Sequence, residues 1–188
     1  MEKFVHSVGT FLREKRVLAQ DDLDVFAYGL DLILFTFVSI LGLLALGVIT
    51  GHFLETVLYL ITFTSLQTTG GGYHAKTHLR CFLTTLTGWL LAMILCRFLP
   101  LWGVALFMAQ GIAAVFMYAP IEHVNAPMSE KQKTKMRGYA RCLCVILSLF
   151  AFVSHLFNPT ISAAIAVGMG MYGVSANIAH RMKMSSVE

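Results

Sequence analysis

An all-α, polytopic membrane protein is the fold this sequence predicts, on three observations. Of 188 residues, 57% are hydrophobic and only 13% charged. The apolar residues fall into six blocks of roughly 16 to 22 residues, too long and too numerous for the amphipathic helices of a soluble domain. The basic residues gather between these blocks on what becomes one side of a bilayer once the blocks span it.

The elements follow in chain order, as one integral membrane domain over residues 1–188. Residues 1–24 form an interfacial segment: Phe4, Val8, Phe11 and Leu12 share one helical face and Lys3, Arg13, Glu14 and Lys15 lie away from it, as in an amphipathic helix on the membrane surface. The segment is charged and has no continuous apolar core, so no cleavable secretory signal is expected. Asp21, Asp22 and Asp24 supply cap-type residues before the first span. About six transmembrane helices are then predicted: Tyr28 to Ile49, Phe53 to Thr69, Phe82 to Leu99, Trp102 to Ala119, Cys142 to Phe157 and Thr160 to Ala179. The second and fifth are short against a bilayer core of about 30 Å, and they call for tilt, re-entry or local thinning. Residues 120–141 read as a basic cytoplasmic loop. Asp31 and Glu55 fall near predicted interfaces, where water or snorkelling explains a carboxylate without chemistry. Gly168, Gly170 and Gly173 are small enough to pack helices within one chain or between two.

With six spans, 13 of the 14 Lys and Arg lie on one side, and only Arg97 lies near the other. Both termini and the segment around residue 74 are therefore expected at the cytoplasmic side. The net charge of +4 sits in juxtamembrane stretches without interleaved aromatics, which argues against nucleic acid and for anionic membrane lipids as partners. The four cysteines, Cys81, Cys96, Cys142 and Cys144, show no disulfide framework, and Cys142 and Cys144 are expected on different helix faces.

The segment Gly70-Gly71-Gly72-Tyr73-His74-Ala75-Lys76-Thr77-His78-Leu79-Arg80-Cys81 carries the chemistry. A cysteine acts as nucleophile through its thiolate, which a nearby imidazole or cationic surroundings favour. On an unbroken helix His74 and Cys81 would point the same way yet stand about 10.5 Å apart along the axis, so direct contact requires a bend. Gly70, Gly71 and Gly72 supply that freedom and admit close approach of a substrate backbone. A second reading places His74, His78 and Cys81 on one face as zinc ligands. Ala75 stands where a hydrolytic zinc site would carry its glutamate base, so no metal or other cofactor is assigned. A third reading is a solvated membrane-edge loop.

The motif from Gly71 to Thr77 followed by Arg80 and Cys81, together with the segment Ala119-Pro120-Ile121-Glu122-His123-Val124-Asn125-Ala126-Pro127-Met128 and the basic run after it, resembles the accessory gene regulator B (AgrB) family. The resemblance covers essentially the whole chain. It implies a multi-pass cysteine endopeptidase of the bacterial cell membrane, with His74 and Cys81 as catalytic pair. The enzyme would cut the C-terminal tail from a small AgrD-like precursor peptide through a Cys81 acyl-enzyme. An internal thiol or hydroxyl of the peptide would then close a thiolactone or lactone. A homodimer is also implied. Family members commonly carry arginine four residues before the first motif glycine; here that residue is Gln67. Glu122, Gln67 and Asn125 are the candidates for orienting the histidine or the oxyanion. Lys76, Arg80, Lys131, Lys133, Lys135 and Arg137 are candidates for contact with the precursor tail. The competing function is a small peptide transporter or exporter without catalysis, although no internal repeat of the kind such proteins use is evident.

Overall fold

The computed structural model describes residues 23–73, 78–122 and 128–185, excluding the side chains of 23–28, 31–32, 78 and 183–185. Six helices follow in order: α1 Leu23–Ile49, α2 Phe53–Gly70, α3 His78–Phe98, α4 Leu101–Tyr118, α5 Glu130–His155 and α6 Pro159–Ser185. No strand occurs among the described residues. The interfacial helix expected before residue 22 lies outside them.

Four helices contain stretches long and apolar enough to cross a membrane: Leu79–Phe98, Leu101–Tyr118, Glu130–His155 and Pro159–Met182. The described apolar part of α1 is the shorter Ile33–Ile49. Helix α2 has 18 residues, which rise about 27 Å, a little less than a bilayer core. It is also the helix richest in hydroxyls. Thr56, Thr64, Ser65, Thr68 and Thr69 each donate to the carbonyl four residues earlier, which lets a polar sequence lie in apolar surroundings with its hydroxyl protons engaged. The expected six spans thus divide into four long apolar helices, a shorter apolar one and this hydroxyl-rich one.

The region after α4 differs from the expected loop. Of its described residues, 120–122 and 128–129 are non-helical, and residues 130–141 form the opening turns of α5. The cause is a capping box: the Ser129 hydroxyl accepts from the Gln132 backbone N–H, and the Gln132 side chain accepts from the Ser129 backbone N–H at 2.8 Å. The basic run is therefore carried on a helix continuous with the fifth apolar stretch.

Helix α6 is the axis of the bundle and packs against α2, α3, α4 and α5. Of its apolar stretch 67% is buried within the protein, against 22 to 28% in α3, α4 and α5, whose outward Leu, Ile and Phe side chains are left for lipid. Small residues make that central position available. A Cβ at Gly168 would stand 2.9 Å from the Thr62 Cβ, and one at Gly173 3.1 Å from the Gln110 backbone. Gly170 abuts Phe107, so the three glycines pack helices within one chain.

Short connections at Thr50–His52, Leu99–Pro100 and Leu156–Asn158 turn the chain at one end of the bundle. There Trp89 Nε1 donates to Thr56 Oγ1 at 3.0 Å, and Glu55 lies 3.9 Å from His52 Nδ1. The glycine turn, the start of α3, the end of α4 and the start of α5 lie at the opposite end.

Candidate functional site

Helix α2 ends where its sequence runs into glycine. Gly70 is its last residue and Gly71 follows with φ 71° and ψ 173°, a backbone region that side chains exclude. The Gly71 N–H still donates to the Gln67 carbonyl at 3.0 Å, so the reversal begins directly on the last helical turn. The next three residues, Gly71 to Tyr73, are not helical.

Two neighbours hold this reversal. From the α4 side, the Ile121 N–H donates to the Gly70 carbonyl at 2.9 Å, and a Cβ on Gly71 would run into the Ile121 carbonyl oxygen. From α6, Ser175 Oγ accepts from the Tyr73 N–H at 3.0 Å and donates to Gln67 Oε1 at 3.2 Å. Gln67 Nε2 in turn donates to the Tyr73 carbonyl at 3.2 Å. Both polar backbone groups of Tyr73, the residue immediately before His74, are thus engaged by one serine–glutamine pair. Gly72 fits beneath it: a Cβ there would stand 2.9 Å from both the Gln67 side chain and Ser175 Oγ.

Cys81 lies in the first turn of α3, half-buried. It forms one helical face with Thr84, Thr85 and Gly88, at offsets of three, four and seven residues. That face opens on a cavity of about 470 Å³ walled also by α1 (including Thr36, Ser39 and Leu43), α2 (Tyr59, Phe63, Thr64, Gln67), α6 (Met171, Val174, Ser175) and Tyr73 of the turn. The thiol therefore shares one space with the serine–glutamine pair. Tyr59 and Phe63 stack at 5.8 Å on the α2 wall.

Among the residues singled out in the sequence, Gly70, Gly71, Gly72, Gln67 and Cys81 come together around this turn. Glu122 follows Ile121 at the same end. Its Oε1 accepts from the Met128 N–H at 3.2 Å and pairs with Lys133 Nζ at 3.0 Å, while Lys133 also reaches Glu130 at 2.7 Å. The basic run is not one uniform patch. Lys131, Lys135 and Arg137 are exposed, Lys135 over the Tyr139 ring, whereas Lys133 ties α5 to the segment after α4. Arg141 lies over the Phe116 ring at 5.1 Å. Arg80 is exposed beside Cys81. His74, Lys76 and Asn125 lie outside the described residues, as does the His78 side chain.

Sequence reasoning missed Ser175, Tyr73 and Ile121. Ser175 stands in the small-residue run of α6, which reads as packing, and nothing local announces a partner 102 residues away. Of the other thiols, Cys96 and Cys144 are buried, and Cys142 is exposed on the face of α5 opposite Cys144, as their spacing predicts.

A family model described as Accessory gene regulator B matches residues 6–176. "Putative AgrB-like protein 1" of Clostridium perfringens (strain 13 / Type A) is 23% identical over 137 residues, 72% of this chain and 73% of that protein. "Putative AgrB-like protein 2" of the same organism is 26% identical over 144 residues, 71% of this chain and 65% of that protein. "Putative AgrB-like protein" of Listeria innocua is 27% identical over 129 residues, 67% of this chain and 63% of that protein, so two of these three relatives are spanned over less than two thirds of their length. No solved structure matches the chain. The glycine turn, the half-buried Cys81 beside it and a family match over nearly the whole length lead to one statement: the chain belongs to the accessory gene regulator B (AgrB) family.

Proposed function

We propose that this protein is a membrane cysteine endopeptidase that cleaves a small AgrD-like precursor peptide and closes its amino-side product into a thiolactone or lactone. Family membership supports the coarser statement, a role in the accessory-gene-regulator quorum-sensing system. The observation that carries the finer one is the placement of Cys81. Its half-buried thiol stands in the first turn of a helix, where the macrodipole favours an anion, beside a cavity and a glycine reversal that leads directly into His74.

In this reading His74 takes the proton of Cys81, and the thiolate attacks the scissile carbonyl. The C–N bond breaks, and the leaving amine receives the proton from the imidazolium. The amino-side product remains as a thioester on Cys81 until an internal thiol or hydroxyl of the peptide displaces it. Exchange of one thioester for another is close to neutral in energy, so the ring closes without a cofactor. An apolar surround at the thioester slows its loss to water. The turn end is assigned to the cytoplasm of a bacterial cell, because Arg80, Lys131, Lys135 and Arg137 are exposed there. Those cations, with Lys76, suit an acidic precursor tail. Glu122 and Asn125 stay as proposals for orienting His74, and a homodimer as one for the assembly.

Co-expression with the small peptide gene beside its own, followed by mass measurement of the product, tests the reading. Cys81→Ala and His74→Ala each abolish cleavage while the protein stays inserted. Cleavage by the Cys81→Ala protein ends the reading, and uncut precursor crossing proteoliposomes that hold it favours an exporter.

A further inference from the structure

We propose that the 470 Å³ cavity beside Cys81 is the binding site for the residues on the amino side of the scissile bond, and that it selects uncharged apolar side chains there. This rests on the reading of Cys81 as acyl carrier, because whatever group is attached to its sulfur must be accommodated in the space that sulfur borders.

Size sets the first limit. An apolar cavity of roughly 150 Å³ holds one benzene-sized group, so this one has room for about three such groups, or two to three apolar side chains. Chemistry sets the second. Among the described residues no lining side chain is Asp, Glu, Lys, Arg or His. A charged substrate side chain would find no counter-charge among the described residues of the wall, and an unpaired ionised group is costly in apolar surroundings.

Four of the wall's hydroxyls share one arrangement. Ser39, Thr64, Thr84 and Thr85 each donate their hydroxyl proton to the carbonyl four residues earlier, at 2.5 to 2.9 Å. They present lone pairs to the cavity and retain no proton of their own to offer. Such a surface accepts the backbone N–H groups of an extended peptide, whereas a lipid tail has no donor with which to use them. A peptide segment with apolar side chains fits both features, and a lipid chain fits only one.

The test uses the full chain in lipid nanodiscs and needs no knowledge of the natural precursor. N-acetyl-Ser-Gly-Xaa S-benzyl thioesters, with Xaa Leu, Phe, Ala, Asp or Lys, are offered as acyl donors. The Cys81 thiolate attacks the thioester carbonyl, the bond to the benzyl sulfur breaks, and phenylmethanethiolate leaves. Acylation is followed by peptide mass at Cys81 and, in the same sample, at the exposed Cys142, which corrects for partitioning of apolar donors into lipid. Leu and Phe donors are expected to acylate Cys81 at least about tenfold faster than Asp and Lys donors, relative to Cys142. Two substitutions narrow the cavity: Gly88→Leu, about 10.5 Å below Cys81 on the same face, and Thr36→Trp from the opposite helix. Each shifts the Phe-to-Ala ratio toward Ala by a comparable factor. The same preference at Cys81 and Cys142, or ratios unchanged by both substitutions, overturns the proposal. If no donor acylates Cys81, the peptidase reading falls separately. Occupancy is then decided by crosslinking N-acetyl-Ser-Gly-photoleucine amide to Cys81→Ala protein: label in α1 or α6 upholds the site. Label elsewhere, or a photoreactive lipid in the cavity that the peptide fails to displace, refutes it.

Discussion

Replacing Gly71 by alanine perturbs the turn at its narrowest point. Its φ of 71° with ψ of 173° lies in a region essentially reserved for glycine, and holding another residue there costs about 1 to 3 kcal/mol. The new methyl group would also run into the Ile121 carbonyl oxygen, so the segment after α4 must withdraw. Withdrawal gives up the Ile121 N–H to Gly70 carbonyl bond, which contributes about 0.5 to 1.5 kcal/mol. The sum, about 1.5 to 4.5 kcal/mol, lowers the population of the assembled turn roughly 10- to 2,000-fold relative to its open forms. Precursor cleavage per inserted protein is expected to fall within that range. Gly51→Ala is the control. Gly51 also has positive φ, at 73°, but a Cβ there meets nothing within 4 Å and the residue lies at the other end of the bundle. It carries the backbone strain alone and leaves cleavage unchanged. Cleavage by Gly71→Ala at the rate of Gly51→Ala refutes the reasoning.

Further outcomes follow from the same end of the molecule. Ser175→Ala removes the acceptor of the Tyr73 N–H and the donor to Gln67; leaving such groups unpaired costs about 1 to 3 kcal/mol, and cleavage should drop roughly 5- to 150-fold, with recovery in Ser175→Thr. Gln67→Arg, which installs the residue common in the family, keeps a donor for the Tyr73 carbonyl but loses the acceptor for Ser175, so its rate should fall between wild type and Ser175→Ala. Trp89→Phe removes the bond to Thr56 at the far end; it should cost about 1 kcal/mol in thermal unfolding and leave cleavage per folded protein unchanged. Lys133→Met removes the cation that links Glu122 to α5, so limited proteolysis between α4 and α5 should speed up, and high salt should produce the same effect in the wild type.

Much of this architecture was legible in the sequence, because membrane helices announce themselves through long apolar blocks. The chain reversal at Gly71 was legible for a different reason, since consecutive glycines between two such blocks have few other uses. The helical start of α5 could have been read from Ser129 and Gln132, whose spacing is a capping box, but the density of Lys and Arg suggested a loop. The central place of α6 was harder to see. Its apolarity resembles that of the lipid-facing helices, and only its Gly and Ala content distinguishes a helix that packs on protein from one that packs on lipid. The ties from Ser175 to Tyr73 and from Ile121 to Gly70 were not legible. They join residues far apart in the chain through a serine hydroxyl and a backbone amide, neither of which has a sequence signature.

The most direct test of the account is to quench the reaction of the protein with its precursor in milliseconds to seconds and weigh the peptide containing Cys81. A transient added mass equal to the precursor's amino-side fragment less one water is expected on Cys81, released by hydroxylamine as a thioester is. Complete turnover of precursor with Cys81 never carrying that mass, and cleavage persisting in the Cys81→Ala protein, contradicts it.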